Sequence, residues 1–83
     1  MEILIGKAAH YYGAISVASV EVYDCIETGD MIHFKGHTTD FEQRVESMHI
    51  MHREVKKGVK GQVVGLKVND FVRKNDLVYR IEN

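Results

Sequence analysis

Two stretches decide how this chain reads: IETGDMIHF, from Ile26 to Phe34, and VRKNDLVYRI, from Val72 to Ile81. They are nearly one phrase written twice. Each opens with a β-branched apolar residue (Ile26, Val72), continues with two polar residues, and reaches Gly29 or Asn75. An aspartate follows, Asp30 or Asp76, and then an alternating apolar run. Glycine and asparagine are the residue types that tolerate left-handed backbone. An aspartate next in line accepts hydrogen bonds from turn amides that would otherwise go unpaired. The phrase therefore predicts a sharp turn immediately ahead of a strand, twice, with Ile26 and Val72 plugging the end of a small barrel. Gly13, Gly29, Asp30, Asn75 and Asp76 read as structural turn residues, not as metal ligands or catalytic groups.

Working outward from these phrases, the rest of the chain also reads as strands. It contains no proline, and apolar residues alternate instead of recurring at helical spacing. Ile3 and Ile5 begin a first strand that runs to Tyr11 or Tyr12, and Gly13 permits a reversal. Ile15, Val17, Val20 and Val22 form a second strand. Their phase slips between Val17 and Val20, so a β-bulge is expected near Ala18. Met31 to Phe34 make a third strand, followed by a polar loop from Gly36 to Asp40. Phe41 to Met51 alternate as a fourth strand with a second bulge near Ser47. A helix is its main rival, because Phe41, Val45 and Met48 also fit a helical stripe. Val63 to Val68 form a fifth strand, with Gly65 marking a bulge or a close backbone approach. Leu77 to Ile81 form the sixth. Six short strands joined by turns predict an all-β fold, a small closed six-stranded barrel spanning residues 1–83 as one domain. Closure would remove exposed sheet edges.

Composition narrows the class further. A chain of 83 residues buries only ~60% of the surface its unfolded form exposes, leaving little room for a deep pocket. The single cysteine, Cys25, excludes an internal disulfide framework and a cysteine-based zinc cluster. No apolar run reaches the roughly 20 residues that span a bilayer, and MEILIGK is too short and too acidic for a signal sequence. A cytoplasmic protein without a membrane partner is expected. Charge is uneven: residues 1–42 carry two bases against seven acids, and residues 43–83 nine bases against five acids.

In order and spacing, GAISVASVEV, IETGDMIHF, VESMHIMHREVKKGVKGQVVGLKV and VRKNDLVYRI resemble the second, β-barrel domain of translation GTPases such as elongation factor Tu and initiation factor Two. Asn75 departs from that pattern, which more often has glycine there. The chain looks especially like small stand-alone translation elongation factor-like proteins, whose loop resembles GHTTDFEQRVESM. A similar barrel closes the C-terminus of collagenase-type peptidases. The translation-factor resemblance implies a barrel that touches tRNA or ribosomal RNA.

The residues themselves offer little chemistry. A GTPase needs a glycine-rich phosphate cradle ending in Lys-Ser/Thr, and neither Gly58–Gly61 nor Gly61–Gly65 supplies one. His10, His33, His37, His49 and His52 read as ordinary barrel histidines, with a cross-strand zinc site as the rarer alternative. Ser16, Ser19, Ser47 and Cys25 are nucleophiles by type only, so no enzyme activity and no cofactor are expected. Arg53, Lys56, Lys57 and Lys60 crowd one loop, with Lys67, Arg73 and Lys74 on later elements. Gathered at one barrel end, these bases would form a cationic rim able to contact RNA phosphates. The sequence thus predicts a non-catalytic binding module for RNA or a ribosome-associated complex, with no DNA partner. A protein-interaction adaptor docking to a larger enzyme is the alternative, with Met48 to His52 as an adaptable contact surface, and self-association is a further option.

Overall fold

The computed structural model describes residues 1–82 and is all-β. Ten strands occur among the described residues: β1 (Glu2–Tyr12), β2 (Val17–Val22), β3 (Cys25–Glu27), β4 (Met31–Lys35), β5 (Asp40–Arg44), β6 (Met48–Ile50), β7 (Arg53–Glu54), β8 (Lys57–Val59), β9 (Val63–Lys67) and β10 (Leu77–Ile81). Eight of them form one sheet in the order β5-β4-β10-β1-β2-β9-β6-β7, while β3 and β8 pair separately. All described pairings are antiparallel. Among the described residues no helix interrupts the strands, so no helix is long and apolar enough to cross a membrane.

The chain does not form the closed six-stranded barrel that its sequence predicts. Among the described residues the large sheet does not close, because its end strands β5 and β7 do not pair. The expected fourth strand also breaks in two. β5 ends at Arg44, and β6 begins at Met48 after three residues outside any ladder. Val45 turns away to exchange backbone bonds with the first repeated turn: its N–H reaches the Asp30 carbonyl at 2.8 Å, and its own carbonyl accepts from Gly29 at 2.8 Å.

A side chain bridges the gap that the ladder leaves. Gln43 points inward from β5 and is nearly fully buried. Its Nε2 donates to the Lys67 carbonyl at 2.9 Å, and its Oε1 accepts from the Asn69 amide at 2.7 Å. The carboxamide carries one donor edge and one acceptor edge, so it stands in for a peptide unit between the edge strand and the end of β9.

The sheet bends through bulges in β1, not in β2 as expected. Register shifts lie between Leu4 and Gly6 against β10, and between Ala8 and His10 against β2. β2 alternates without a slip. Ala18, Val20 and Val22 face the core, and Val17 faces outward. The small inward Ala18 makes the apolar pattern look shifted when only larger residues are followed. β1 comes so close to β2 that a Cβ on Gly6 would stand 2.6 Å from the Glu21 carbonyl oxygen. The resulting curl wraps a core that includes Ile5, Ile32, Phe34, Met48, Leu66 and Val78. Burying each such side chain contributes about 1.5–3 kcal/mol, and Phe34 stacks on Phe41 with ring centroids 5.1 Å apart.

The two repeated phrases form matching turns. Gly29 has φ 96° and Asn75 φ 76°. Asp30 Oδ2 accepts from the Glu27 amide at 2.9 Å, and Asp76 Oδ2 from the Arg73 amide at 2.8 Å. Ile26 and Val72 are buried.

Candidate functional site

Two features stand out on the outer face of the sheet. One is an apolar groove over β2, β9 and β6, about 720 Å³ in volume. Val17 and Ser19 on β2, Val63 and Gly65 on β9, and His49 on β6 line it, together with Tyr12 at the end of β1 and Ile15, Met51 and His52 from flanking turns. Alternation places them there: the residues of β2 and β9 that face away from the core point outward together. Gly65 causes no register shift against β2. The absence of a side chain at Gly65 leaves the floor of the groove open, with the Val17 methyl 3.4 Å from where its Cβ would stand. Lys67 Nζ donates to the Ile15 carbonyl at 3.0 Å and so pins the turn that carries Ile15.

These walls are apolar and wet. Ile15 is 59% exposed, Val63 51% and Met51 88%. Met51 and His52 make the two-residue turn of the β6–β7 hairpin, with φ 51° and 68°. Such a turn favours Asn-Gly, and each side-chain-bearing residue held there costs on the order of 1 kcal/mol. A large apolar side chain in left-handed backbone at the lip of an apolar groove breaks the local rules at the place where a binding surface would.

The other feature surrounds His33. From β4 its side chain faces outward, yet only 10% of it is exposed. Nδ1 lies 2.9 Å from Oε2 of Glu2, and Nε2 lies 2.5 Å from Oδ1 of Asp40. The hydrogen bond to Asp40 raises the His33 pKa above its ordinary value, with Glu2 adding to the shift against the opposing effect of burial. The same bond to His33 lowers that of Asp40. Glu2, His33 and Glu42 offer donor atoms within 4.8 Å of one another, a set of the kind that can hold a divalent cation.

The other sequence candidates fall elsewhere. His33 and His37 share strand parity, but β4 ends at Lys35 and places His37 on the following loop. Among the described residues, no hydrogen bond joins a serine hydroxyl or the Cys25 thiol to a histidine. The Cys25 carbonyl instead accepts from Arg80 at 2.8 Å.

The seven basic residues, Arg53, Lys56, Lys57, Lys60, Lys67, Arg73 and Lys74, are all exposed, but they do not gather into one rim. Lys56 and Lys57 lie against the first repeated turn, through the Thr28 amide bonded to the Lys56 carbonyl and the Glu27–Lys57 pairing. Arg73 and Lys74 sit in the second repeated turn. The strands that follow these turns, β4 and β10, run antiparallel to each other, so the turns lie at opposite ends of the pair. Lys67 is engaged at the groove, and Arg73 Nε donates to Thr38 Oγ1 at 2.6 Å.

Sequence reasoning missed the groove, the Gln43 bridge and the His33 cluster. Only the outward parity of His33 and the inward parity of Gln43 were open to it.

No protein-family model matches the chain. It is 39% identical over 82 residues to an uncharacterised protease of Methanocaldococcus jannaschii, covering 98% of this chain and 20% of that protein. It is 32% identical over 83 residues to a collagenase of Porphyromonas gingivalis, with 98% and 20% covered. These relatives are proteases by name. The chain spans about a fifth of the length of the curated relatives it matches. Its fold superposes with a TM-score of 0.90 on the C-terminal domain of a Geobacillus thermoleovorans protein assigned to the U32 peptidases, at 19% identity, covering 96% of this chain and 93% of that one.

These findings overturn the translation-factor expectation. Relatives named as proteases and collagenases, and a fold neighbour from a U32 peptidase, replace the elongation factor-like protein, the RNA-binding translation module and the non-enzyme reading. The physical reason is that the repeated phrases encode turns and strand entries, which any fold needing such turns can use whatever its chemistry.

Proposed function

We propose that this chain acts as the C-terminal β-domain of a protease of the U32 type, and that its outer groove holds a stretch of polypeptide for that enzyme. One observation carries the reading. Tyr12, Ile15, Met51 and Val63 stand exposed around a single groove, in a chain whose relatives are named as proteases and collagenases. An extended polypeptide presents side chains at strand spacing and backbone groups along its flanks. The open floor at Gly65 admits it, and His49 and His52 offer polar contacts beside the apolar walls. Bond cleavage would fall to the part of such a protease that lies outside the matched fifth. A reducing compartment such as the cytoplasm suits the free thiol of Cys25.

The test is binding of the 83-residue chain to heat-denatured collagen and to reduced, alkylated casein, followed by fluorescence anisotropy. Binding tighter than about 1 mM that is lost in an Ile15→Ser, Val63→Ser double variant with an unchanged circular-dichroism spectrum supports the reading. No binding, or equal binding by the double variant, overturns it.

A further inference from the structure

We infer that Glu2, His33 and Glu42 bind a divalent metal ion of the zinc class on the outer face of the sheet. Asp40 is the positioning residue that holds the histidine for it. The site belongs to the β5-β4-β10-β1 half of the sheet, apart from the groove. It draws on three strands: Glu2 from β1, His33 from β4, and Asp40 and Glu42 from β5. One imidazole with two carboxylates is a mixed nitrogen and oxygen set. It suits zinc better than the all-oxygen shells of magnesium and calcium.

The nearly buried ring of His33 aims Nδ1 at both oxygens of Glu2, which lie 3.1 and 2.9 Å away. A carboxylate can only accept. A neutral imidazole with its hydrogen on Nε2 therefore turns the Nδ1 lone pair straight at two oxygens, and a cation between them removes the conflict. Asp40 Oδ1 stands 2.5 Å from the other ring nitrogen, Nε2. A metal-bound histidine almost always donates its second N–H to a carboxylate, carbonyl or water, which fixes the tautomer. Here that pairing leaves Nδ1 as the ligand atom. Glu42 faces His33 directly across β4 and β5, with donor atoms of Glu2, His33 and Glu42 all within 4.8 Å of one another. Among the described residues Glu42 forms no ion pair. Of the neighbouring bases, Lys35 acts on Asp40, Arg44 is turned to the Gly29 carbonyl and Arg80 to Glu82. A proton on Nδ1 would serve Glu2 alone, whereas a divalent ion engages all three groups.

Donors bonded to one zinc ion at about 2.0–2.2 Å stand roughly 3–3.5 Å apart. The spread of the three donors closes to that by small rotations of Glu2 and Glu42, both of which are exposed. The frame beneath them is firm. At the start of β5, Thr39 is buried and its carbonyl accepts from the Gly36 amide at 2.8 Å, while Phe41 stacks on Phe34. His33, Asp40 and Glu42 are thus presented from a fixed ladder, the pre-arrangement that a metal site needs. Three protein ligands leave a fourth position to water. The ion ties the first residue of β1 to the end strand β5, which has a ladder partner only in β4.

The experiment is calorimetric titration of zinc chloride into the metal-free, tag-free 83-residue chain at neutral pH. It is combined with long-range ¹H–¹⁵N correlation of the histidine side chains. Binding tighter than about 100 µM is expected, with the Nδ1 signal of His33 shifting while Nε2 keeps its hydrogen. Glu42→Gln substitutes an exposed residue and should weaken binding at least about tenfold with an unchanged circular-dichroism spectrum. Asp40→Asn should weaken it about 10–100-fold, because the tautomer is no longer held. Binding weaker than about 100 µM, equal binding by Glu42→Gln, or a shift of Nε2 in place of Nδ1 would overturn the site. So would binding that is lost in a His49→Gln, His52→Gln double variant, which would place the ion at the groove.

Discussion

His33 and Tyr79 face each other across β4 and β10, at equivalent positions of the two copies of one phrase, with ring centroids 6.3 Å apart. On either side of that pair, Ile32 meets Arg80 and Phe34 meets Val78. A local two-fold relationship therefore passes between the two rings, and each strand enters through its own Asp-capped turn. The repetition in the sequence is the trace of this antiparallel pair, which also sends the two turns and their basic residues to opposite ends.

The turns should respond differently to exchange of their left-handed residues. Gly29 has open space where a Cβ would go, so Gly29→Ala is penalised only through φ, by about 1 kcal/mol. Asn75→Gly relieves a side-chain-bearing residue at φ 76° and should be neutral or slightly stabilising. Urea denaturation of both variants measures the contrast.

Gln43 is expected to matter more than its polarity implies. Gln43→Ala leaves the Asn69 amide and the Lys67 carbonyl without this partner, which costs about 1–3 kcal/mol. Gln43→Glu removes the donor to Lys67 and buries a carboxylate, so it should be worse at neutral pH and recover part of the loss in acid. Thermal melts at pH 5 and pH 8 distinguish the two.

Gly36 marks a close approach. A Cβ there would overlap the Asp76 carboxylate, the acceptor that caps the second repeated turn. Gly36→Ala should destabilise by about 1–3 kcal/mol. Asp76→Ala should cost more than Asp30→Ala, because Asp76 is buried and Asp30 is not. Denaturation midpoints of the three variants order these effects.

Replacing Met51-His52 by Asn-Gly should stabilise the hairpin by up to about 1–2 kcal/mol, because these residues suit a turn with positive φ at both positions. If the strained pair serves the groove, the same change weakens polypeptide binding. A higher melting temperature together with lower affinity is the expected result, measured on one preparation.

Stability should peak in mild acid. The His33 pKa is raised on folding, so its contribution is complete below the unfolded value near 6.5 and is lost as pH rises through the folded one. The Asp40 pKa is lowered, so its contribution is present above the unfolded value near 3.8 and is lost as pH falls through the folded one. His33→Gln should flatten the alkaline side of the profile, as thermal melts from pH 3 to pH 9 would show.

Much of the local structure was legible in the sequence. Gly29-Asp30 and Asn75-Asp76 announce turns because their backbone and capping requirements are local. The strand entries at Met31 and Leu77, the inward parity of Gln43 and the all-β class follow from period-two alternation. Alternation assigns a face but names no partner, so it could not show that the end strands β5 and β7 do not pair with each other. Nor could it place the bulges in β1, because a phase slip in one strand and an extra residue in its neighbour look alike from either strand alone. The groove needed Val17, Val63, Gly65 and the Met51-His52 turn brought together from separate segments, and the His33 cluster needed Glu2, His33 and Asp40 drawn from three strands. Local chemistry along the chain determined where it turns and which side chains face inward. The tertiary structure alone decided which distant residues meet, because that depends on the order of strand pairing, and the candidate chemistry of this protein lies in those meetings.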